Sequence, residues 1–270
     1  MKRTVAVIGA GGKMGARAAE KIGFSDAYRV LLCESHAGRA RELETMGLRV
    51  TPTEEAMAAA DFVVMAVPDA LIGAIARDLV PRMKPGATLI MLDAAAAFVG
   101  ELPERADVTQ MITHPCHPAL FAEQATPEAR RDRFGGVAVQ DILVSLIDGD
   151  EQAFTEGVEL CRAIFAPVAR ALRVTPEQFA FLEPAMSEII VAAAARWMKD
   201  SLDLAIEKGV PREAAEAFMA GHAQIAMAIV FGAEKSPFSD AAQLAIEWGA
   251  RHYINPAWRK IYERETLAGA

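Results

Sequence analysis

Gly9-Ala10-Gly11-Gly12-Lys13-Met14-Gly15 stands between an apolar run, Thr4–Ile8, and a helical pattern, Met14–Ile22. Glycines let a chain turn tightly and let its backbone approach a phosphate with no Cβ in the way. A helix that opens there offers unpaired amides and the positive end of its dipole, a seat for a pyrophosphate. A glycine pattern alone is weak evidence, and a glycine-rich structural turn is the plain alternative. Here the loop lies inside a strand–helix–strand unit, and Glu34 ends the second strand in Leu31-Leu32-Cys33-Glu34. A carboxylate at that point can accept hydrogen bonds from both adenosine ribose hydroxyls and repels a 2′-phosphate, which favours NAD over NADP. The competing reading is a solvated strand-end charge, and the neighbouring His36 and Arg39 could soften the preference. The spacing reads GxxGxxG at Gly9, Gly12 and Gly15, or uses Gly9, Gly11 and Gly15 with one extra residue. Gly11, Gly12, Lys13 and Met14 are the candidate cofactor contacts.

Outward from this loop, short β-branched runs alternate with helical patterns. Strands are predicted at Thr4–Ile8, Arg29–Cys33, Leu48–Val50, Phe62–Ala66, Thr88–Leu92 and Met111–Thr113. Helices are predicted at Met14–Ile22, Ala37–Met46, Thr53–Ala59 and Leu71–Met83. Such alternation implies an α/β fold, a parallel, doubly wound Rossmann sheet with helices on both faces. Ile142–Asp150 can still be strand and loop, and beyond it helical periodicity takes over. Thr175-Pro176-Glu177-Gln178 carries the residues of a capping box, with proline at the first helical position. Further helices run from Glu183-Pro184 to about Glu207 and from Pro211 to about Phe231. Ser239 caps another, and Asn255-Pro256 opens a short last one. The expected division is a dinucleotide-binding domain over 1–150 and an all-α domain over 151–270 for substrate and dimerisation.

The 270 residues are 53% hydrophobic and 24% charged, so the chain can build real cores and is not disordered. A net charge of −8 argues against nucleic acid as a partner but leaves room for a local basic pocket that takes a small anion. Cys33, Cys116 and Cys161 are widely spaced, odd in number and form no CxxC, which fits a reducing, cytoplasmic setting. Met1-Lys2-Arg3 before an apolar run imitates a signal peptide, but glycines follow Ile8 and a buried strand is the better reading. Phe218–Ala233 contains His222 and Gln224, is short for a membrane span and reads as a core helix, so no membrane partner is expected.

Chemistry concentrates in Thr113-His114-Pro115-Cys116-His117-Pro118-Ala119-Leu120-Phe121. The segment follows a strand, at the sheet edge where ligands of open α/β folds bind. Two prolines stiffen it and fix the directions of two imidazoles. Histidine suits the removal of a hydroxyl proton as a hydride leaves, and it also ligates metals. His117 is the favoured acid–base residue; His114 is the second candidate or a packed loop residue. Cys116 reads as a small hydrophobe rather than a nucleophile. Asp93 ends the preceding strand and either faces the cofactor or is a plain strand-end residue.

In Phe181-Leu182-Glu183-Pro184-Ala185-Met186-Ser187-Glu188, the two glutamates point about 140° apart on an ideal helix of ~3.6 residues per turn. They share a site only if Pro184 distorts the start. One of them with His117 could hold a divalent cation or form an acid–base pair. We assign Glu183 to the acid–base work and Glu188, with His117, to the cation. A cap carboxylate and an exposed glutamate are the plain readings. Arg196 and Lys199 read first as a solvated face and second as a carboxylate clamp, and His222 first as a buried histidine and second as a site residue.

Several of these pieces resemble known families. The glycine loop resembles that of dihydrodipicolinate reductases. Asp61-Phe62-Val63-Val64-Met65-Ala66-Val67-Pro68-Asp69 resembles the strand edge under the nicotinamide ribose in the 6-phosphogluconate and prephenate dehydrogenase superfamily. That implies Val67 as a cofactor contact. His117-Pro118 with Leu120-Phe121 resembles the prephenate dehydrogenase segment whose histidine faces the substrate. Together with LEPAMSE at 182–188, MAGH at 219–222 and SPFSDAA at 236–242, nearly the whole chain resembles the D-apionate oxidoisomerase group of that superfamily. The resemblance implies NAD-dependent oxidation of a small anionic, branched sugar acid, then an acyloin-type rearrangement to 3-oxo-isoapionate. It also implies a homodimer paired through the helical domain. The Lys-x-x-Asn pattern of hydroxyisobutyrate-type dehydrogenases is not evident, since Asp200-Ser201-Leu202 follow Lys199, so a lysine base is not expected. Two other readings stay open: a 3-hydroxy acid or prephenate-like dehydrogenase without rearrangement, and a non-catalytic NAD sensor.

Overall fold

Val5-Ala6-Val7-Ile8 has no polar side chain and is stable as a strand only with both faces covered. In the computed structural model, which describes residues 2–269, it lies inside a seven-stranded sheet of order β2-β1-β3-β4-β5-β6-β7. The strands are β1 (Arg3–Ile8), β2 (Tyr28–Cys33), β3 (Phe62–Met65), β4 (Thr88–Met91), β5 (Thr109–Pro115), β6 (Gln140–Asp148) and β7 (Val168–Arg173). The helices between them are α1 (Lys13–Gly23), α2 (Ala37–Thr45), α3 (Thr53–Ala59), α4 (Ile72–Leu79), α5 (Ala95–Phe98), α6 (Pro127–Arg131) and α7 (Glu151–Ile164), and α8 (Pro176–Ala180) follows β7. Alternate residues of a strand face opposite sides of the sheet, and the core divides accordingly. Val63, Met65, Leu89 and Met91 join Ile72, Leu79 and Phe179 in one cluster. Phe62, Val64 and Ile90 join Met111, Leu160 and Phe165 in the other.

The first five strands in the order are parallel, as expected, but β6 pairs antiparallel with β5, and β7 runs parallel to β6. Leu48–Val50 is no strand; it forms a single bridge, Leu32 to Val50. β7 escaped the sequence reading because Val-Ala-Arg-Ala-Leu-Arg lies on the sheet edge and buries none of its residues fully. Its arginines pair outward, Arg170 with Asp141 at 2.5 Å and Arg173 with Glu151 at 2.7 Å. Charge on an edge strand discourages pairing with another chain. The chain divides into two compact units, Met1–Ala180 and Phe181–Ala270. The change of pattern at 150 therefore falls inside the first unit, because α7 packs on the sheet and β7 extends it. The capping box closes α8 as written in the sequence: Thr175 Oγ1 accepts from Gln178 N–H at 3.2 Å, and Gln178 Oε1 from Thr175 N–H at 2.9 Å.

The second unit opens with a π-helical stretch, Phe181–Ala192, followed by α9 (Ala193–Glu207), α10 (Arg212–Val230) and α11 (Asp240–Tyr253). A 3₁₀ turn, Pro256–Tyr262, and α12 (Arg264–Ala268) complete it. Ser239 Oγ caps α11 by accepting from Ala242 N–H, and Asn255 Oδ1 accepts from Ala257 N–H. These helices are apolar but uncovered. Neither α9 nor α11 has a buried residue, and Trp197, Phe218, Phe231, Leu244, Trp248 and Tyr253 are each more than half exposed. An apolar cleft of about 1110 Å³ runs between Trp197, Met219, Met227, Phe231 and Tyr253. The core helix expected at Phe218–Ala233 is thus corrected: Ala215 is the buried residue of α10. His222 is corrected with it, being exposed, stacked on Phe218 and bonded through Nδ1 to the Phe218 carbonyl. One described helical run, Pro176–Glu207, has the length and composition to cross a membrane, and it is interrupted by Pro184 and the buried Glu183.

Candidate active site

The turn from β1 into α1 is tied by backbone. Gly9 and Ala10 N–H both donate to the Cys33 carbonyl, at 2.9 and 3.1 Å, and Gly12 N–H donates to Gly9 O at 3.0 Å. Gly9 has φ +78, and a Cβ there would stand 2.4 Å from Ala66 O; a Cβ on Gly15 would stand 2.2 Å from Gly9 O. Gly12 caps α1 with no side-chain bond, and no acidic residue follows in the first turn. The first amides of α1, including those of Lys13 and Met14, and the helix dipole are therefore open to an anion. Glu34 sits at the mouth of this cradle, where Oε2 accepts from Gly11 N–H at 3.0 Å and Oε1 from His36 N–H at 2.8 Å. The bare cradle with a carboxylate beside it fits a dinucleotide.

Strand register sets Ile8, Met65, Met91 and Ile112 side by side, so the segments after them share one edge of the sheet. Val67, after β3, lies half-buried against Gly9. Asp93, after β4, is buried, and its Oδ1 accepts from Ala95 N–H at 2.7 Å, which ties the turn that leads into α5. His114 falls within β5, which runs two residues beyond the predicted strand end. Its Nδ1 donates to Pro115 O at 2.9 Å. Burial pushes this imidazole below its ordinary pKa and the nearby His117 adds to that, while the Pro115 bond and Asp93 push the other way.

His117 has φ +59, the one positive value outside glycine among the described residues. That conformation costs on the order of 1–2 kcal/mol and persists only where the surroundings enforce it, often at functional sites. Its Nδ1 lies 2.8 Å from Phe134 O. A carbonyl only accepts, so Nδ1 carries the proton and Nε2 presents a lone pair. The rings of His114 and His117 stand edge to face with centroids 6.1 Å apart. Cys116 between them is no thiolate, since desolvation and Asp141 push its thiol up to about 11.

Glu183 and Glu188 belong to the second unit, on the π-wound stretch that contains Pro184. Proline has no N–H and crowds the carbonyl four residues back, which a wider i→i+5 turn relieves. A wider turn reduces the ~140° divergence of an ideal α-helix, but the two glutamates still differ in environment. Glu183 is buried and Glu188 exposed, and the Ser187 hydroxyl donates to the Glu183 carbonyl. Arg196 pairs with Asp200 at 2.9 Å and Lys199 with Asp203 at 2.6 Å, the solvated face expected of them. Among the described residues, no three His, Cys, Asp or Glu side chains form a group that could hold a metal ion. The cation expected on His117 and Glu188 has no such ligand group among the described residues.

The bond that orients His117 comes from a stretch without a motif, 132–138. Asp132 followed by Gly135-Gly136 signals a turn in the sequence, but nothing there signals its partner.

Comparison with known proteins accords with this arrangement. Residues 122–270 match the family model for phosphogluconate dehydrogenase (decarboxylating), C-term, and residues 4–96 match that for NADP oxidoreductase, coenzyme F420-dependent. A D-apionate oxidoisomerase from Cupriavidus necator is 43% identical over 99% of this chain and 98% of its own length. One from Blautia hydrogenotrophica is 41% identical, covering 98% of this chain and 94% of its own. The crystal structure of a semialdehyde dehydrogenase NAD-binding protein from Cupriavidus necator, in complex with calcium and NAD, matches with a TM-score of 0.93 at 43% identity, covering 100% of this chain and 98% of that one. With likeness of this degree along its whole length, the chain belongs to the D-apionate oxidoisomerase family.

Proposed function

We propose that this chain is an NAD-dependent oxidoisomerase that oxidises D-apionate, a small branched sugar acid, and rearranges the product. The observation that carries the reading is an open glycine cradle with Glu34 at its mouth and a strained His117 with a bare Nε2 at the same sheet edge. It occurs in a chain 37–43% identical, over nearly its full length, to four proteins named D-apionate oxidoisomerase. Lys13 and Met14 would hold the pyrophosphate of NAD through the first amides of α1, Gly11 and Gly12 would let the backbone approach it, and Glu34 would take its adenosine ribose, with Val67 and Asp93 beside the nicotinamide half. When bound, NAD accepts a hydride from the carbinol carbon. His117 Nε2 takes the proton of that hydroxyl, and a carbonyl results. In the rearrangement, the neighbouring branched carbinol gives up its hydroxyl proton to a second base, and through it to solvent, and becomes the new carbonyl. One of its carbon substituents migrates to the first carbonyl carbon, whose oxygen takes a proton from the His117 imidazolium. Glu183 is the candidate for that second base.

A screen of NAD reduction over sugar acids tests the reading. D-apionate should be the best substrate. Turnover confined to simple 3-hydroxy acids supports a plain dehydrogenase, and none at all supports a sensor.

Cofactor choice follows from Glu34. Calorimetry should show NAD binding tighter than NADP by roughly tenfold or more, and Glu34→Gln should narrow the gap, since a bond to a charged group is worth about 1.5–3 kcal/mol. Equal or tighter NADP binding by the wild type contradicts the assignment.

A homodimer is the reading that best explains the helical unit, whose aromatic faces exceed what a soluble monomer leaves open. Sedimentation at micromolar concentration should show a dimer or larger and no monomer; a stable monomer refutes it. The spacing of the three cysteines supports a cytoplasmic setting. Neither nucleic acid nor a membrane is expected as a partner, and the helical run Pro176–Glu207 reads as a packing helix.

A further inference from the structure

One carboxylate organises the turn that faces His117. Asp132 Oδ1 accepts from Phe134 N–H at 3.0 Å and Gly135 N–H at 2.8 Å. Its Oδ2 accepts from Val137 N–H at 2.9 Å and Ala138 N–H at 3.0 Å. Gly135 and Gly136, with φ +92 and +123, let the chain wrap around the group. Burial opposes the charge on Asp132, but the four donors outweigh it and hold the carboxyl down at about 2.

On its other side the turn leans on α1, the helix that opens from the glycine cradle. Lys13, Arg17 and Lys21 are spaced i, i+4, i+8, one face of that helix. Lys13 Nζ lies 3.7 Å from the centre of the Phe134 ring, with the Arg17 guanidinium 5.2 Å away. Arg17 Nη1 is 3.5 Å from Phe134 O, and Lys21 Nζ donates to Gly136 O at 2.8 Å. The turn that presents the Phe134 carbonyl is thus tied by Asp132 and braced by the cofactor helix. That same carbonyl takes the Nδ1 proton of His117, whose ring also packs on the Phe134 ring at 5.3 Å.

We propose that Asp132 is a positioning residue for the reaction: the turn it holds keeps the Phe134 carbonyl on His117 Nδ1–H and so reserves Nε2 for the substrate's proton. The inference rests on the reading of His117 as the base. A neutral imidazole can carry its proton on either nitrogen, and only the Nδ1–H form leaves Nε2 able to accept.

Nitrogen NMR of ring-labelled histidine in the NAD-bound enzyme, above neutral pH, reads the tautomer directly. The spectrum of His117→Asn identifies His117 among the five histidines. The wild type should carry the His117 proton on Nδ1. Asp132→Asn loses half of its acceptor oxygens, since an amide nitrogen cannot accept. The His117 ring should then become a mixture of tautomers, with kcat reduced roughly 10- to 100-fold by the misplaced base and NAD affinity unchanged. A wild-type His117 protonated on Nε2 overturns the proposal, and that measurement needs no variant to fold. An Asp132→Asn enzyme with the His117 tautomer unaltered, or with wild-type kcat, overturns it too. Normal turnover in His117→Asn is a separate failure: it removes the base assignment, whatever the tautomer.

Discussion

His117→Asn should lose roughly 10²- to 10⁴-fold in turnover, the range for removal of a general base, while NAD binds as in the wild type. The two effects separate because the cradle and the base come from different strands. Gly9, Gly12 and Gly15 follow β1 and Glu34 follows β2, with their bonds to Cys33, Gly11 and His36. His117 follows β5 and is tied to Phe134. Asparagine also tolerates the left-handed conformation that His117 adopts, so the substitution removes the imidazole without breaking the loop. His114→Asn should cost less. That ring is half-buried in β5, bonded to the next residue's carbonyl and held towards its neutral form. Steady-state kinetics with calorimetry on both variants checks this, and near-normal turnover in His117→Asn rejects the role.

Gly15→Ala is expected to have the other large effect, on stability and cofactor binding together. The added methyl would stand 2.2 Å from Gly9 O and 2.8 Å from Ala10 Cα, both backbone atoms that cannot rotate away. Either α1 shifts off the loop or the loop opens, and both change the amides that form the anion seat. Overpacking of this kind costs about 1–3 kcal/mol. We expect a lower melting temperature and NAD affinity weaker by roughly tenfold or more. Gly23→Ala in the same helix, where nothing lies within 4 Å of the added Cβ, should be tolerated and serves as the control. Wild-type melting and NAD affinity in Gly15→Ala would contradict the role given to this glycine.

The parts of the structure legible in the sequence are those whose physics is local. β1, β3 and β4 announce themselves because strands buried on both faces must be apolar throughout. The capping box of α8 and the Ser239 cap are written in residue types at fixed spacing. The glycine loop is legible because only glycine fits at Gly9 and Gly15. β7 is not, since an edge strand with outward arginines has no apolar alternation to read. The winding that carries Glu183 and Glu188 is hidden because the reading assumes the α-helical period, and Pro184 sits in a π-wound stretch instead. The partner of His117 is hidden for another reason: it is a main-chain carbonyl, which every residue type offers equally. The helical unit lies between these cases. Periodicity finds α9, α10 and α11, but it names an apolar face without naming what covers it.

The most direct test of the account is the fate of D-apionate in the presence of the wild-type chain and NAD, followed by NADH absorbance and by NMR of the product. The account predicts one NADH for each sugar acid consumed and a product whose carbon branch has moved, the 3-oxo acid of the rearranged skeleton. NADH formed with the original carbon skeleton intact, or no NADH at all, would contradict it.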